Sequence, residues 1–250
     1  MSPSPDTLHD DFQRDGAVCV RGLVAADLLA RVAEAVDGNL AEPSELAMVA
    51  SAGDDPGKFV EDFSNWPRFP AYLELARATA PMAAALMGST SVRLYHDHLL
   101  VKQAGTRQRT PWHQDQPYYD VEGRHVISMW LPLDPVPRVS TLEFVAGTHV
   151  GPWLMPRTFM DREAKWFPEG QLRDVPDVEA DRAAYPILGW QLDPGDAVFF
   201  HALTLHASAG SAARRRVISI RYLGDDVVPA PRPWRTSPPI PEGAEFPVLL

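Results

Sequence analysis

The sequence lacks several features that define common classes of protein. It has one cysteine, Cys19, among 250 residues, which excludes an internal disulfide and a disulfide-stapled scaffold. No apolar run approaches the ~18 residues that a membrane-spanning helix needs. The first sixteen residues are acidic, without the basic and apolar regions of a signal peptide. We therefore expect a cytoplasmic protein with no membrane contact.

Positive charge is also scarce. The chain has 23 Lys and Arg against 33 Asp and Glu, a net charge of −10. An acidic surface repels a phosphate backbone, so we expect no nucleic-acid partner. The sequence shows neither an internal repeat nor the glycine pattern of a nucleotide-binding loop. These absences favour a partner that is a small molecule.

The first ninety residues combine helical periodicity with loops. Apolar residues at helical spacing predict helices that end near Gly16 and Gly38. Another helix begins at Pro70 and is interrupted near Pro81, whereas residues 39–66 are aperiodic. This part of the chain is predicted to be mostly helix and loop.

From residue 91 onward the pattern changes to short strands. These runs are rich in Val, Ile, Leu, Phe and Tyr, and Gly, Pro and Asp separate them. They cover residues 91–102, 125–133, 141–146, 196–201 and 216–223. Strands punctuated in this way are typical of a β-sandwich or jelly roll. We predict a mainly β fold with flanking helices.

A His-x-Asp pair is the first candidate for chemistry. His113 and Asp115 are two residues apart, so on a strand both side chains lie on one face. Two histidines with one carboxylate form the facial triad of non-haem Fe(II) oxygenases. The alternative for this pair alone is a histidine hydrogen-bonded to a nearby acid on a surface loop.

The remaining ligand of such a triad must come from a distant part of the chain. The candidates are His149, His201 and His206. His206 is the strongest of them because a strand that begins with Arg216 follows ten residues later.

Arg216 is the candidate for binding an anion. Alternation along its strand places it on one face with Ile218 and Ile220, which predicts that it points into an apolar interior. A buried arginine needs an anion, and the far carboxylate of a metal-chelating 2-oxo acid would suit its planar guanidinium. The alternative is an internal salt bridge to an acid such as Asp196.

Five segments carry a family resemblance when they are taken together in chain order. They are Trp112-His113-Gln114-Asp115-Gln116-Pro117-Tyr118, Ser128-Met129-Trp130-Leu131-Pro132-Leu133-Asp134, Gly147-Thr148-His149, His206-Ala207-Ser208 and Arg216. Over roughly residues 90–225 the chain resembles the phytanoyl-CoA dioxygenase family of Fe(II)- and 2-oxoglutarate-dependent oxygenases. Ala207 stands where the family often has Gly, a change in a turn and not in a ligand.

The resemblance implies a double-stranded β-helix, or jelly-roll, core in a single catalytic domain over residues 1–250. Its parts would be a helical flank (1–90), the core (91–225) with an insert (151–190), and a Pro-rich tail (226–250). Iron would be held by His113, Asp115 and His206, and the distal carboxylate of 2-oxoglutarate by Arg216. Further contacts to the cosubstrate are implied for Trp130, Ser208, His98 and Lys102.

The implied activity is oxidation of a C–H bond of a small-molecule metabolite, with Fe(II), 2-oxoglutarate and O2. Hydroxylation is favoured over halogenation because halogenating relatives replace the carboxylate at the position of Asp115. Desaturation, epoxidation, cyclisation and halogenation stay open, and a noncatalytic small-molecule-binding jelly roll is the alternative from another class. Large aromatics are more often core residues, but Tyr118, Trp112 and Trp153 are candidates for the substrate pocket. Residues 39–66 and 151–190 are predicted to be substrate lids.

Overall fold

Two facing antiparallel β-sheets form the centre of the molecule, and three helices pack on the outside of the larger sheet. A computed structural model of the chain describes residues 4–155, 172–241 and 243–250. The helices are α1 (Pro5–Asp15), α2 (Ala26–Ala41) and α3 (Pro70–Met87). The strands are β1 (Ala17–Val20), β2 (Met48–Val49), β3 (Phe59–Phe63), β4 (Arg93–Lys102), β5 (Thr110–His113), β6 (Val121–Glu122), β7 (Val126–Pro132), β8 (Leu142–Val145), β9 (Ile187–Leu188), β10 (Ala197–His201), β11 (His206–Ser208), β12 (Arg215–Leu223) and β13 (Val228–Pro229).

The large sheet has the strand order β1-β10-β7-β12-β4-β3-β2, and the small sheet has the order β5-β11-β8-β9. Strands that are neighbours in either sheet are mostly distant in sequence, as in a jelly roll. The predicted mainly β fold with flanking helices is confirmed. Each of the five predicted strand runs overlaps a strand of the structure, with ends that differ by one or two residues.

Strand β12 lies near the middle of the large sheet, and both of its faces are covered. Ile218, Ile220 and Tyr222 pack against the helices in one apolar cluster. Val217, on the other face, packs into the cluster between the two sheets. Because successive side chains of a strand alternate, residues 215, 217, 219 and 221 face the small sheet.

The helices end and continue for local reasons. Gly16 ends α1 with a φ of +78°, and a Cβ there would lie 2.5 Å from side-chain atoms of His149 and Thr204. Helix α3 runs through Pro81, which corrects the predicted interruption. Pro81 has no N–H group to donate to the Arg77 carbonyl oxygen. Because Arg77 is exposed, water can satisfy this carbonyl instead. Helix α2 likewise continues past Gly38 to Ala41.

The segment 39–66 is not a loop throughout. It contains β2 and β3, and β3 pairs with β4 from Phe59 opposite Lys102 to Phe63 opposite His98. The prediction of a lid over this whole segment is therefore wrong for residues 59–63, which extend the large sheet. Their aperiodic sequence reflects burial on both faces: Phe59, Glu61 and Asp62 are all buried.

The Pro-rich tail packs on the protein. Its strand β13 pairs with β6, and the Trp234 indole donates to the Pro117 carbonyl oxygen at 3.1 Å. The last residues pair with the backbone of Val92. Within the predicted insert 151–190, residues 156–171 lie outside the described part of the chain. No helix among the described residues is long and apolar enough to cross a membrane.

Candidate metal centre and cosubstrate cavity

Two histidine rings meet between neighbouring strands of the small sheet. His113 ends β5 and His206 begins β11, and the two residues are paired in register. Their ring centroids are 4.1 Å apart. The Nδ1 atom of His113 lies 2.8 Å from the Pro111 carbonyl oxygen, and that of His206 lies 2.9 Å from the Thr204 carbonyl oxygen. Since a carbonyl only accepts, each Nδ1 carries the proton, and each Nε2 keeps its lone pair for a metal.

Asp115 completes the group from just beyond the end of β5. Its Oδ1 atom lies 3.6 Å from His113 Nε2 and 3.7 Å from His206 Nε2. Its Oδ2 atom accepts from Ser128 Oγ at 3.1 Å and from Arg221 Nη2 at 3.5 Å. One carboxylate oxygen is therefore held by the protein, and the other faces the two imidazoles.

The backbone around Asp115 is fixed by the turn that follows β10. The amide N–H groups of Asp115 and Gln116 both donate to the Ala202 carbonyl oxygen. The Gln114 side chain points the other way, donating to the Leu203 carbonyl oxygen and accepting from the Leu154 amide. The spacing of His113 and Asp115 predicts that both lie on a strand, but Asp115 lies beyond the end of β5. The contacts described here, and not strand alternation, place it beside the two histidines.

The electrostatics of the group suit a divalent cation. Burial alone would raise the pKa of Asp115, but Arg221 and the two imidazoles hold it well below its usual value. Burial lowers the pKa of His206 to about 3, so its imidazole is neutral. One ligand atom from each of the three residues lies within 4.8 Å of the others. Two imidazoles and one carboxylate are a donor set that fits Fe(II).

A cavity of about 810 Å³, counting the part open to solvent, lies between the two sheets and contains this group in its wall. The wall combines nine apolar or aromatic residues with eleven polar or charged ones. Its residues include Phe59, Phe63, Tyr118, Tyr119, Trp130, Leu142 and Phe200.

Among the described residues, the arginines that line this cavity are Arg215 and Arg221, and Arg216 is not one of them. The Arg216 guanidinium binds Asp134 at 2.8 Å and Asp37 at 2.9 Å on the helix side of the sheet. The prediction that it faces the site is wrong because both faces of β12 are covered, and the apolar face that Arg216 shares is the one under the helices. Its salt bridges involve these two acids and not Asp196, which pairs with Arg21.

Arg215 is a buried cation without an acidic partner among the described residues. Its Nη1 donates to the Ser140 carbonyl oxygen, and its guanidinium carbon lies 5.4 Å from the centroid of the Trp130 ring. Its Nε is buried and has no hydrogen-bond partner in the described part of the chain. Burial lowers the pKa of Arg215 to about 10, and no nearby carboxylate offsets this effect. Such a group fits the carboxylate of a ligand.

Three of the four other residues predicted to contact the cosubstrate line the cavity: Trp130, Ser208 and His98. Lys102 does not. Its ammonium group is fully buried behind Ser208 and donates to Ser208 Oγ and to the carbonyl oxygens of Gln108 and Ala209. Because three acceptors use its three donors, Lys102 holds Ser208 in place instead of reaching the cavity.

Of the three aromatic candidates for the substrate pocket, Tyr118 lines the cavity. Trp112 faces away because it neighbours His113 on β5, and its indole donates to Glu179 at 2.9 Å. The guanidinium carbon of Arg232 lies 4.8 Å from the centroid of the Trp153 ring. Neither Trp112 nor Trp153 is among the described residues that line the cavity.

The two other candidate histidines have structural roles. His201 Nδ1 accepts from the Leu203 amide, and its Nε2 donates to the Arg124 carbonyl oxygen. His149 lies 5.5 Å from the His201 ring and contacts the Gln13 carbonyl oxygen.

Several polar residues of the cavity were missed by the sequence argument. Arg221 shares the parity of Arg215 on β12, and His96 shares that of His98 on β4. Glu61, on β3, lies 3.1 Å from His98 Nε2. The signal that could have found them is this alternation of polar side chains along strands whose other face is apolar.

The fold and the site define the class: a double-stranded β-helix with a two-histidine, one-carboxylate group in the wall of its cavity. The family described as phytanoyl-CoA dioxygenase (PhyH) matches residues 12–217. The chain belongs to this family, whose enzymes are Fe(II)- and 2-oxoglutarate-dependent oxidoreductases. A Caenorhabditis elegans protein named "Probable phytanoyl-CoA dioxygenase" is 24% identical over 201 residues, 76% of this chain. The match spans 62% of that protein's length.

Solved structures show the same fold. The epimerase SnoN, in complex with Fe3+, α-ketoglutarate and nogalamycin RO, has a TM-score of 0.74 at 21% identity over 98% of both chains. The carbocyclase SnoK from nogalamycin biosynthesis has a TM-score of 0.75 at 21% identity over 99% of both chains. EctD from S. alaskensis, with 2-oxoglutarate and 5-hydroxyectoine, has a TM-score of 0.68 at 20% identity over 96% of this chain and 84% of its own.

Proposed function

We propose that this chain is an Fe(II)- and 2-oxoglutarate-dependent dioxygenase that hydroxylates a C–H bond of a small molecule. The observation that carries the proposal is the convergence of His113 Nε2, His206 Nε2 and Asp115 Oδ1 on one point in the wall of a buried cavity. In this reading the three side chains are the iron ligands, and the whole chain is one catalytic unit.

The protein prepares this site before the metal binds. The Pro111 and Thr204 carbonyl groups fix the tautomer and the orientation of the two imidazoles. Ser128 and Arg221 occupy the other oxygen of Asp115, which favours monodentate binding and keeps the remaining metal positions open for ligands.

Arg215 takes the role that the sequence had given to Arg216. Its buried guanidinium lines the cavity and pairs with no carboxylate of the described residues. The distal carboxylate of 2-oxoglutarate would supply the negative charge that pairs with it. Trp130 and Ser208 border the same part of the cavity and would position the bound cosubstrate.

Fe(II), 2-oxoglutarate and O2 together supply the oxidising power for the reaction, and 2-oxoglutarate leaves as succinate and CO2. The protein contributes the orientation of the target carbon and the exclusion of water by the aromatic wall. The retained carboxylate of Asp115 supports hydroxylation over halogenation. The names of the solved relatives include an epimerase and a carbocyclase, so the fold alone does not select the reaction.

The proposed substrate is a carrier-free small molecule. Nogalamycin RO and 5-hydroxyectoine, named with the solved relatives, are small molecules, and the aromatic wall here suits an apolar skeleton. A net charge of −10 offers little attraction to the phosphates of an acyl-CoA. The proposed compartment is the cytoplasm, which keeps the Cys19 thiol and Fe(II) reduced.

Succinate formation tests this proposal. Protein incubated with Fe(II), 2-oxoglutarate, O2 and ascorbate, which replaces the substrate as the source of two electrons, should release succinate at a slow rate proportional to its concentration. His113→Ala should abolish this release, and His125→Ala, at the surface, should leave it unchanged. Full succinate release by the His113→Ala variant would refute the assignment of the iron ligands.

A further inference from the structure

Besides Arg215 Nε, two buried polar atoms of residues in the cavity wall have no hydrogen-bond partner among the described residues: Arg221 Nη1 and His96 Nε2. Both residues line the cavity, and they are directly opposite each other on β12 and β4. The Arg221 side chain is 7% exposed and His96 is 1% exposed. An unpaired buried polar atom is costly, so a pair of them in one cavity wall points to a ligand.

Arg221 offers a donor that is already oriented. Its Nε donates to the Tyr119 hydroxyl at 3.1 Å, and its Nη2 donates to Asp115 Oδ2 at 3.5 Å. These two contacts fix the plane of the guanidinium. Since a guanidinium has no acceptor atom, Nη1 can act only as a donor.

His96 offers an acceptor. Its Nδ1 lies 3.2 Å from the Asp97 carbonyl oxygen, which requires the proton on Nδ1. Burial, together with the charge of Arg221, holds the pKa of His96 well below its usual value, so the ring is neutral. Its Nε2 therefore carries a lone pair that no described residue uses, on a residue that lines the cavity.

We propose that Arg221 and His96 form a recognition site for a hydroxyl group of the organic substrate. The hydroxyl oxygen accepts from Arg221 Nη1, and its O–H donates to His96 Nε2. A hydroxyl is the smallest group that satisfies a donor and an acceptor together, whereas a ketone would satisfy Arg221 alone. This inference rests on the proposed function, because it takes the occupant of the cavity to be the substrate.

The rings around the pair indicate the rest of the molecule. The Tyr119 ring centroid lies 5.6 Å from that of His96, and the Phe63 centroid lies 6.3 Å from it. Aromatic walls favour flat apolar surfaces. The substrate class is therefore an alcohol or phenol on an aromatic or alicyclic skeleton.

Binding of matched compounds tests the site. The probes are α-tetralol, α-tetralone and tetralin, and a second set of indanol, indanone and indane. Their Kd values would be measured without O2 on protein loaded with Fe(II) and 2-oxoglutarate. We expect each alcohol to bind roughly tenfold more tightly than its hydrocarbon, with the ketone between them.

Two variants of His96 separate its acceptor from its other contacts. Asn at this position keeps a donor close to the place of Nδ1 but has no atom at Nε2, so His96→Asn should reduce the alcohol to the affinity of the ketone. Gln places an amide oxygen near Nε2, so His96→Gln should retain part of the preference. His125→Asn, at the surface, is the matched control and should leave all six Kd values unchanged.

Two results would overturn the inference. One is an alcohol that binds no more tightly than its hydrocarbon in both sets, or does not bind, which would mean that water satisfies the pair. The other is an unchanged alcohol preference in His96→Asn. The visible absorption band of the Fe(II)–2-oxoglutarate chelate, recorded on the same samples, reports the proposed function separately. A band without alcohol preference removes this inference alone, and alcohol preference without a band refutes the oxygenase instead.

Discussion

Arg215 and Arg216 are adjacent on β12, yet their guanidinium groups lie on opposite faces of the large sheet. Arg216 forms salt bridges to Asp134 and Asp37, whereas Arg215 lies in the cavity against Trp130. Of these two neighbouring arginines, Arg216 therefore forms a structural ion pair, and Arg215 is available to a ligand.

This arrangement predicts different effects of the same substitution at the two positions. Arg215→Met should raise the Kd for 2-oxoglutarate roughly 100-fold, because the distal carboxylate loses its buried partner. Arg216→Met should leave that Kd within about twofold and should instead lower the free energy of unfolding. Anaerobic titration of the Fe(II)-loaded variants with 2-oxoglutarate measures both. A larger increase in Kd for Arg216→Met than for Arg215→Met would contradict the assignment.

Ser128 should support the metal site through Asp115. Its hydroxyl donates to Asp115 Oδ2, so Ser128→Ala should weaken Fe(II) binding about 10-fold. Ser219→Ala is the matched control, since that buried hydroxyl donates to the Met129 carbonyl oxygen instead. Competition with a chelator of known affinity gives both constants. Equal Fe(II) affinities for the two variants would show that the Ser128 contact does not support the metal.

Tyr222 should contribute to stability and not to the site. Its hydroxyl shares a hydrogen bond of 2.6 Å with Thr79 Oγ1 and joins β12 to α3, away from the cavity. Tyr222→Phe should lower the free energy of unfolding by about 1 kcal/mol, measured by urea denaturation. Succinate formation by the folded variant should be unchanged, and a large loss of it would mean that the helix side of the sheet takes part in activity.

Asp97 gives the protein a component of pH-dependent stability. Burial raises its pKa from 3.8 to about 6 although it accepts from the Asn65 and Trp66 amides. Because the folded state binds this proton more tightly than the unfolded state, the contribution of Asp97 to stability falls as pH rises from about 4 to about 6. The free energy of unfolding of the wild type minus that of Asp97→Asn should decrease over this range and then level off. An increase over the same range would contradict the direction of the shift.

Much of the fold could be predicted from the sequence because the strands from residue 91 onward are apolar runs bounded by turn residues. The segment 59–63 was missed because a strand buried on both faces has no alternation to detect. The sequence predicts an interruption of helix α3 because a proline inside a helix is usually costly. Pro81 is tolerated because it lies on the exposed side of the helix. Neither property is visible without knowing what packs against each face.

Part of the candidate site could likewise be predicted from the sequence, and part could not. The group of His113, Asp115 and His206 could be predicted because its spacing and its neighbours resemble a family. The assignment of Arg216 was wrong because alternation sorts the residues of β12 into two faces but does not say which face lines a cavity. The cross-strand pair of Arg221 and His96 depends on the register of β12 against β4, which local sequence does not specify.

The proposed function requires that three side chains from two separate segments hold one Fe(II) beside a cation that binds 2-oxoglutarate. Anaerobic addition of 2-oxoglutarate to the Fe(II)-loaded protein, followed by the weak visible absorption band of the chelate, tests it most directly. The band should saturate at one equivalent of 2-oxoglutarate, and His206→Ala should abolish it. A protein that binds Fe(II) without developing the band, or a His206→Ala variant that retains it at full intensity, would contradict the account.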